Sequence, residues 1–381
     1  MRVALVHSFY ASGAPSGENI VVAQEADALA RAGHEVYVVR VDTDDAVHER
    51  FFRVRAGMRV ATGRGKSPVR DIRDLGVDVV HVHNLFPNFG SRWALTSPAP
   101  VVHTLHNFRS LCTAGTFYRE GHDCHLCIQG HPWSGVRFGC YRNSKLQSVP
   151  ISLANRPGLK ANPLFAAARR IIVMSDAARD IYARHGADAG RVVVKPHFLA
   201  DDVAPSRPFA MQARHTGPWL YAGNLLPQKG VLDLVRRWPR EHRLVVAGDG
   251  PLRRAVEEAA GDGIDVVGAV PRAELLALMA DARGLVFPSR WLETFGMVYA
   301  EALACGLPVL AFKGSVVATQ VRRFGTGHVV GWDEDLTSAV ERAEEQFPQL
   351  YARCREHFER SYTEAAHLDR IIGIYGDAIA A

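Results

Sequence analysis

The sequence lacks any apolar run close to the roughly 20 residues that a membrane-spanning helix needs. It also lacks internal repeats and low-complexity segments, which excludes solenoid and largely disordered proteins. The opening residues, MRVALVHSFY, become polar too early for a signal peptide and instead predict a buried first strand. We therefore expect a cytoplasmic protein.

A dinucleotide-binding fingerprint is absent as well. Gly13 and Gly17 lie in the loop after the first predicted strand, but their spacing does not match G-x-G-x-x-G. A nicotinamide cofactor is therefore not expected, although strand, loop, helix and second strand do follow one another here.

Acidic residues are missing between positions 50 and 70. That stretch holds seven basic residues, which are Arg50, Arg53, Arg55, Arg59, Arg64, Lys66 and Arg70. The net charge of +5 is also uneven, since residues 1–200 hold 25 Lys and Arg against 16 Asp and Glu. We interpret the basic stretch as a solvated surface, and the alternative is attraction to the anionic inner face of a membrane or to a phosphorylated acceptor. Nucleic acid is not expected, because no binding motif accompanies the charge.

Cysteine is scarce and clustered. Four of the six cysteines fall within 29 residues, at Cys112, Cys124, Cys127 and Cys140. A C-x2-C pair flanked by single cysteines is compatible with a tetrahedral zinc site, although the outer cysteines are not paired as in a zinc ribbon. Structural zinc and simple thiols, reduced or oxidised, both stay open. A metal with four protein ligands would have no open position, so a catalytic role is not expected.

What the chain does contain is a regular alternation of apolar strands and helical segments, which predicts the α/β class. Its 381 residues suffice for two such domains. The predicted organisation is a first domain over 1–200 with a cysteine-rich insert at about 108–145, a linker over 201–216, a second domain over 217–360 and a last helix over 361–381.

The most informative stretch is residues 286–312, VFPSRWLETFGMVYAEALACGLPVLAF. It predicts a strand, a loop, a helix that begins near Phe295, and a second strand. Glu293 lies in the loop and Glu301 on the first turns of the helix, so that both carboxylates are able to reach one ligand. A ligand at the carboxyl end of a parallel strand is the usual arrangement in such units.

This stretch resembles the E-x7-E signature of retaining glycosyltransferases with the GT-B fold, and most of all those of family 4. The resemblance implies two Rossmann-like domains that face each other across a cleft, with the last helix crossing back to the first domain. It further implies that Glu293 binds hydroxyls of the donor sugar and that Glu301 binds the ribose. Backbone N–H groups at the helix start would face the sugar and diphosphate, and they belong to Phe295, Gly296, Met297 and Val298.

Three other places resemble the same family. The pattern G-R-L-x-x-E-K-G corresponds to residues 223–230, where Lys229 matches the diphosphate-binding lysine and Asn224 replaces the usual arginine. Arg290 is a candidate to compensate for that replacement. His106, after the predicted strand 101–105, matches a histidine near the transferred sugar and the reaction centre. Gly17 falls where the family has a glycine-rich turn.

The resemblance implies a hexosyl or related transferase that needs no metal for catalysis. It would move a sugar from a nucleoside-diphosphate sugar to a hydroxyl of a glycan, a lipid-linked acceptor or a small molecule. Glu293, His106 and Lys229 are the candidate catalytic residues. The alternatives are a non-catalytic sugar-nucleotide-binding subunit of a glycan assembly complex and a sugar-nucleotide epimerase of similar build.

Overall fold

The computed structural model describes residues 1–10, 17–201 and 216–381. They form two compact units. Unit 1 comprises Met1–Phe117, Cys124–His197 and His367–Ala381, and unit 2 comprises Tyr118–Asp123 and Phe198–Ala366. Of the predicted linker 201–216, residues 202–215 lie outside the described part of the chain.

Eight strands lie before residue 201 in the described part of the chain. They are β1 (Arg2–Phe9), β2 (Glu35–Asp42), β3 (Val79–Asn84), β4 (Val101–Thr104), β5 (Tyr118–Arg119), β6 (His122–Asp123), β7 (Ala168–Val173) and β8 (Val192–Val194). Six of them form the parallel sheet of unit 1 in the order β2-β1-β3-β4-β7-β8. Strands β5 and β6 form an antiparallel hairpin that groups with unit 2.

The α-helices before residue 201 lie between these strands, singly or in groups of three. They are α1 (Gly17–Arg31), α2 (Thr43–Ala46), α3 (Phe52–Thr62), α4 (Val69–Leu75), α5 (Ser134–Arg137), α6 (Lys145–Asn155), α7 (Pro163–Ala167) and α8 (Asp176–Arg184). Helix α8 begins after Ser175, whose hydroxyl accepts a hydrogen bond from the backbone N–H of Ala178.

Unit 2 contains a second six-stranded parallel sheet. Its strands are β9 (Trp219–Ala222), β10 (Leu244–Ala247), β11 (Ile264–Gly268), β12 (Gly284–Phe287), β13 (Val309–Phe312) and β14 (Gly327–Val330). Their order is β11-β10-β9-β12-β13-β14, so the direction of winding reverses between β9 and β12. In sheets of this type that reversal marks the usual place for a ligand.

The remaining helices lie in the second half of the chain. They are α9 (Val231–Arg237), α10 (Arg253–Ala259), α11 (Arg272–Asp281), α12 (Met297–Ala304), α13 (Val316–Phe324), α14 (Leu336–Gln346), α15 (Tyr351–Ser361) and α16 (Glu364–Ala380). From His367 onward the chain belongs to unit 1. No helix among the described residues has the length and hydropathy needed to cross a membrane.

The predicted α/β class with two Rossmann-like domains is confirmed. Strands β9, β10 and β13 are each a four-residue apolar run that is buried throughout, which is why the alternation is visible in the sequence. Helix α12 begins at Met297 rather than near Phe295, since the preceding Gly296 has a left-handed backbone with φ 87°. Strand β14 was not predicted, because its short GHVV sequence is only partly buried and carries a weak apolar signal.

Candidate functional site

The loops that follow β9 and β12 lie side by side in unit 2. The two strands are hydrogen-bonded neighbours, with Trp219 opposite Gly284 and Leu220 opposite Leu285. Gly230, in the first loop, has φ 69°, and a Cβ atom there would overlap the carbonyl oxygen of Pro288 in the second. Glycine at this position therefore allows the two loops to approach closely.

That approach brings together Lys229 and Glu293, which are 64 residues apart in the sequence. The Lys229 Nζ atom lies 2.7 Å from Glu293 Oε1, and the Ser289 hydroxyl donates to the same oxygen at 2.8 Å. Glu293 is only 8% exposed, so its charge needs such partners. The sequence did not identify Ser289, although its position directly after β12 was a usable signal.

Glu301, on the second turn of α12, is buried as well and faces Arg272 at the start of α11. Glu301 Oε1 lies 2.9 Å from the Arg272 guanidinium. Burial raises the pKa of Glu301, and the positive charge of Arg272 opposes that effect. The sequence did not predict Arg272 as part of the site, because it comes from a separate helix with no motif of its own.

The start of α12 faces the same region. Its first backbone N–H groups, from Met297 onward, have no partner within the helix and carry the positive end of the helix dipole. Gly296 is required there, since a Cβ atom would come within 2.9 Å of Val317 Cγ2 in addition to the left-handed φ. Phe295 is buried and contacts Tyr362 edge to face at 5.5 Å. The positive end of the helix dipole favours an anion at this helix start, close to the end of β12.

Asn224, which replaces the family arginine, is exposed, whereas Arg290, the candidate to compensate for that replacement, already has a partner. Asn224 follows β9 at the surface. Arg290 donates to Asp233 at 2.8 Å, and its guanidinium lies 3.7 Å from the centre of the Trp332 ring. Burial raises the pKa of Tyr118, in the hairpin, and the charge of Arg290 lowers it, so the phenol lies within electrostatic reach of that pair.

In unit 1, His83 near the end of β3 lies beside His106, which follows β4. His83 Nδ1 lies 3.0 Å from His106 Nε2, and the His106 ring stacks on His197 with 5.3 Å between ring centres. Burial, together with the neighbouring histidines, holds the pKa of His106 well below its ordinary value. His83 and His106 line a cavity of about 170 Å³.

The same cavity is lined by polar residues that the sequence did not single out. Glu18, on the first turn of α1, accepts a hydrogen bond from the Tyr10 hydroxyl at 3.2 Å, and burial raises its pKa to about 7. Arg109 lies over the Phe86 ring at 4.5 Å and counteracts part of that shift. The predicted residue Gly17 is the first residue of α1. Its neighbour Glu18 is the residue that lines the cavity, and a carboxylate directly after a glycine-rich loop was the available signal.

The four clustered cysteines do not form a tetrahedral site in this structure. Cys112 is buried, the other three are partly buried, and none is in a disulfide. Sulfur ligands of one zinc ion would lie about 3.8 Å apart. Among the described residues, which include all four thiols, no three of these sulfurs come within 4.8 Å of one another. The thiols as placed do not fit zinc, so the metal stays a prediction from sequence. Metal analysis of protein purified without added metal tests it. Zinc below about one-tenth of an equivalent would contradict the prediction.

Comparison with known proteins places both units in one family. The model for glycosyl transferases group 1 matches residues 218–360, and the model for glycosyltransferase family 4 matches residues 15–202. The chain therefore belongs to the GT-B glycosyltransferases of the family 4 type.

Individual proteins agree with that assignment. O-antigen chain mannosyltransferase B of Escherichia coli is 31% identical over a 164-residue alignment, and the match covers 38% of this chain and 43% of that relative. The chain thus matches less than half of that relative's length. Sucrose-phosphate synthase from Thermosynechococcus elongatus has 20% identity and a TM-score of 0.67, with 100% of this chain and 99% of that chain covered. HepE from Anabaena, solved in complex with UDP, has 14% identity and a TM-score of 0.62, with 99% and 100% covered. These two structures share the fold.

Proposed function

We propose that this protein transfers a sugar from a nucleoside-diphosphate sugar to a hydroxyl group, with retention of configuration and without a catalytic metal. The observation that carries the proposal is the Lys229–Glu293 pair, held with Ser289 at the point of unit 2 where the winding of the sheet reverses. Solved neighbours that contain UDP or UDP-glucose support a nucleotide sugar as the donor.

The charged groups of the candidate donor site then have distinct roles. The Lys229 ammonium and the first N–H groups of α12 neutralise the diphosphate, which becomes more negative as the sugar leaves. Glu293 accepts hydrogen bonds from sugar hydroxyls, and Ser289 and Lys229 hold that carboxylate in place. Glu301 binds the ribose hydroxyls, with its position fixed by Arg272.

Retention follows from departure and attack on the same face of the sugar. The bond from the anomeric carbon to the phosphate oxygen breaks while the acceptor hydroxyl approaches from that side. The leaving phosphate takes the proton of the hydroxyl, so no protein base is needed. The contribution of the protein is positioning and charge stabilisation.

The acceptor binds to unit 1 in this proposal. The cavity beside His83 and His106 offers a carboxyl group at Glu18 and a guanidinium at Arg109. Such groups hydrogen-bond sugar hydroxyls, and the Phe86 ring next to Arg109 provides an apolar wall for a sugar face. A glycan or another hydroxylated molecule suits this lining better than an apolar one.

Contact with a membrane surface is a further part of the proposal. Phe51, Val54 and Met58 follow one another at the spacing of a helix face and are 64%, 60% and 57% exposed. Basic side chains flank them, including Arg50 and Arg53. An exposed apolar stripe with basic flanks is typical of surfaces that rest on anionic lipid.

A non-catalytic sugar-nucleotide-binding subunit is the second candidate, because Asn224 removes one cation from the expected diphosphate site. The two functions separate in an assay of purified protein with nucleoside-diphosphate sugars. We expect release of nucleoside diphosphate, strongly reduced in Glu293→Gln and unchanged in Glu258→Gln, an exposed glutamate of unit 2 that pairs with Arg254. Donor binding without turnover would support the binding subunit, and full activity of Glu293→Gln would contradict the proposed site.

A further inference from the structure

Unit 1 contains a buried carboxylate that the proposed reaction does not use. Glu25, on α1, is 1% exposed. One of its oxygens lies 2.9 Å from His81 Nδ1 and 3.4 Å from His83 Nε2. The other lies 3.4 Å from Lys195 Nζ and 3.5 Å from His367 Nε2. These contacts connect α1, β3, the segment after β8 and the last helix.

A carboxylate without partners would be costly at this depth, and the neighbours of Glu25 explain why it stays charged. Burial by itself would raise the pKa of Glu25, but Lys195, His81 and His83 together hold it well below its ordinary value. Burial lowers the pKa of His83 to about 3, so this histidine is neutral near pH 7. The titratable groups that act on His83 and His106 include His7, Glu25, His81 and His197. Lys195, His367 and Tyr375 lie beside Glu25.

The charge of Glu25 determines which ring nitrogen of His83 carries the proton. A lone pair on His83 Nε2 would face a carboxylate oxygen at 3.4 Å, which is repulsive, whereas an N–H there is attracted. The neutral ring is therefore protonated on Nε2, and its Nδ1 atom accepts. His106 Nε2, at 3.0 Å from that acceptor, must then be the donor. A neutral His106 with its proton on Nε2 has an acceptor at Nδ1.

We propose that Glu25, acting through His83, fixes His106 in the tautomer that carries its proton on Nε2. Glu25 and His83 are positioning residues in this account, because each acts through another side chain. The role of His106 toward substrate rests on the proposed function, whereas its tautomer is a property of the folded protein alone.

The same residues also have the composition of a metal site, since Glu25, His81 and His83 place their ligand atoms within 4.8 Å of one another. Lys195 argues against a cation there. Its ammonium lies 3.4 Å from the Glu25 carboxylate, already balances that charge and would repel a metal ion. A network of hydrogen bonds and charges therefore explains the cluster without a metal.

The tautomer is measurable directly in the full-length protein. Two-bond nitrogen–hydrogen correlation spectra of protein with labelled histidines show which ring nitrogen carries the proton, and a His106→Gln variant assigns the signal. We expect wild-type His106 to be protonated on Nε2. Protonation on Nδ1, or a doubly protonated ring at pH 7, would overturn the proposal whether or not the protein transfers sugar.

Variants test the origin of that tautomer. Glu25→Gln keeps the size of the side chain but removes the charge, so we expect the His106 signal to move toward a mixture of tautomers. Glu49→Gln is the matched control, because it makes the same substitution at an exposed glutamate of unit 1 that pairs with Arg55 at 2.7 Å. An unchanged His106 signal in folded Glu25→Gln would contradict the proposal. If that variant does not fold, the wild-type spectrum still tests which nitrogen of His106 carries the proton.

Turnover adds a second readout that a purely structural role would not move. We expect His83→Ala to lower kcat by about tenfold to 100-fold while the affinity for nucleoside diphosphate stays unchanged. His83→Asn should restore much of the loss, since its amide oxygen takes the place of the Nδ1 acceptor. Equal activity of His83→Ala and wild type, or equal losses in His83→Ala and His83→Asn, would count against a positioning role.

Discussion

Lys229 Nζ lies 2.7 Å from Glu293 Oε1, and this ion pair joins the two loops at which the sheet of unit 2 reverses its winding. The Glu293 side chain is 9% exposed and that of Lys229 is 22% exposed. A pair with this little exposure is more sensitive to loss of one partner than a surface ion pair, because the remaining charge is left with little solvent. The same lysine is the cation expected to meet the donor diphosphate.

Restoring the family arginine should strengthen donor binding. Asn224 is exposed beside the loop that carries Lys229, so Asn224→Arg adds a planar cation that is able to bind phosphate through two N–H groups. We expect the dissociation constant for nucleoside diphosphate to fall by about tenfold. Asn224→Gln is the matched control, since it lengthens the side chain without a charge. Equal affinities in calorimetry for Asn224→Arg and Asn224→Gln would mean that position 224 does not face the diphosphate.

Gly296 should not tolerate a side chain. It has φ 87°, and a Cβ atom would lie 2.9 Å from Val317 Cγ2. We expect Gly296→Ala to lower the free energy of unfolding by about 1–3 kcal/mol. Gly261→Ala is a suitable control in the same unit, because nothing lies within 4 Å of a Cβ atom there. Chemical denaturation should show the difference, and equal stability of the two variants would contradict the assigned backbone of the loop.

The buried histidines should make the fold sensitive to acid. Burial lowers the pKa of His103 to about 4 from its ordinary 6.5, while the hydrogen bond that its Nδ1–H donates to the Val82 carbonyl partly opposes this. The unfolded chain therefore binds more protons between these values, and stability is lost as the pH falls from 6.5 toward 4. Each such proton changes the free energy of unfolding by about 1.4 kcal/mol per pH unit. We expect His103→Gln to be less stable at pH 7 but to lose less stability on acidification, and parallel curves would refute this.

Binding to lipid should depend on the exposed stripe before and within α3. We expect the protein to sediment with vesicles that contain anionic lipid and not with zwitterionic vesicles, because the basic side chains beside the stripe are attracted to anionic headgroups. Replacing Val54 and Met58 by serine should reduce sedimentation, because both side chains are more than half exposed and apolar. Val267→Ser, at an exposed valine of unit 2, is the control. Unchanged sedimentation of the double variant would exclude this surface as the lipid contact.

The candidate site residues that the sequence identifies belong to short local motifs. Glu293 and Glu301 were recognisable because strand, loop and helix are consecutive there, and Lys229 because a strand and a glycine enclose it. The family assignment followed from these residues, and the family models confirm it.

Contacts between distant segments were beyond the reach of the sequence. Arg272 meets Glu301 only because α11 and α12 lie together, and no spacing rule connects them. The network around Glu25 joins residues up to 342 positions apart, as its contact with His367 shows. A histidine in a strand, or a lysine after a strand, gives the same sequence pattern whether or not it contacts a buried carboxylate. Only the folded structure shows that these residues surround Glu25.

The most direct test of the central claim is the affinity of nucleoside diphosphate for the Lys229 site. A thermal-shift screen would first select the nucleoside diphosphate that stabilises the protein most, because a ligand bound by the folded state raises its stability. Calorimetry of wild type and Lys229→Met with that ligand then follows. We predict a dissociation constant at least about tenfold higher for Lys229→Met, the size expected for one charge-assisted contact. Equal affinities of the folded wild type and variant would contradict the assignment of Lys229 to the diphosphate.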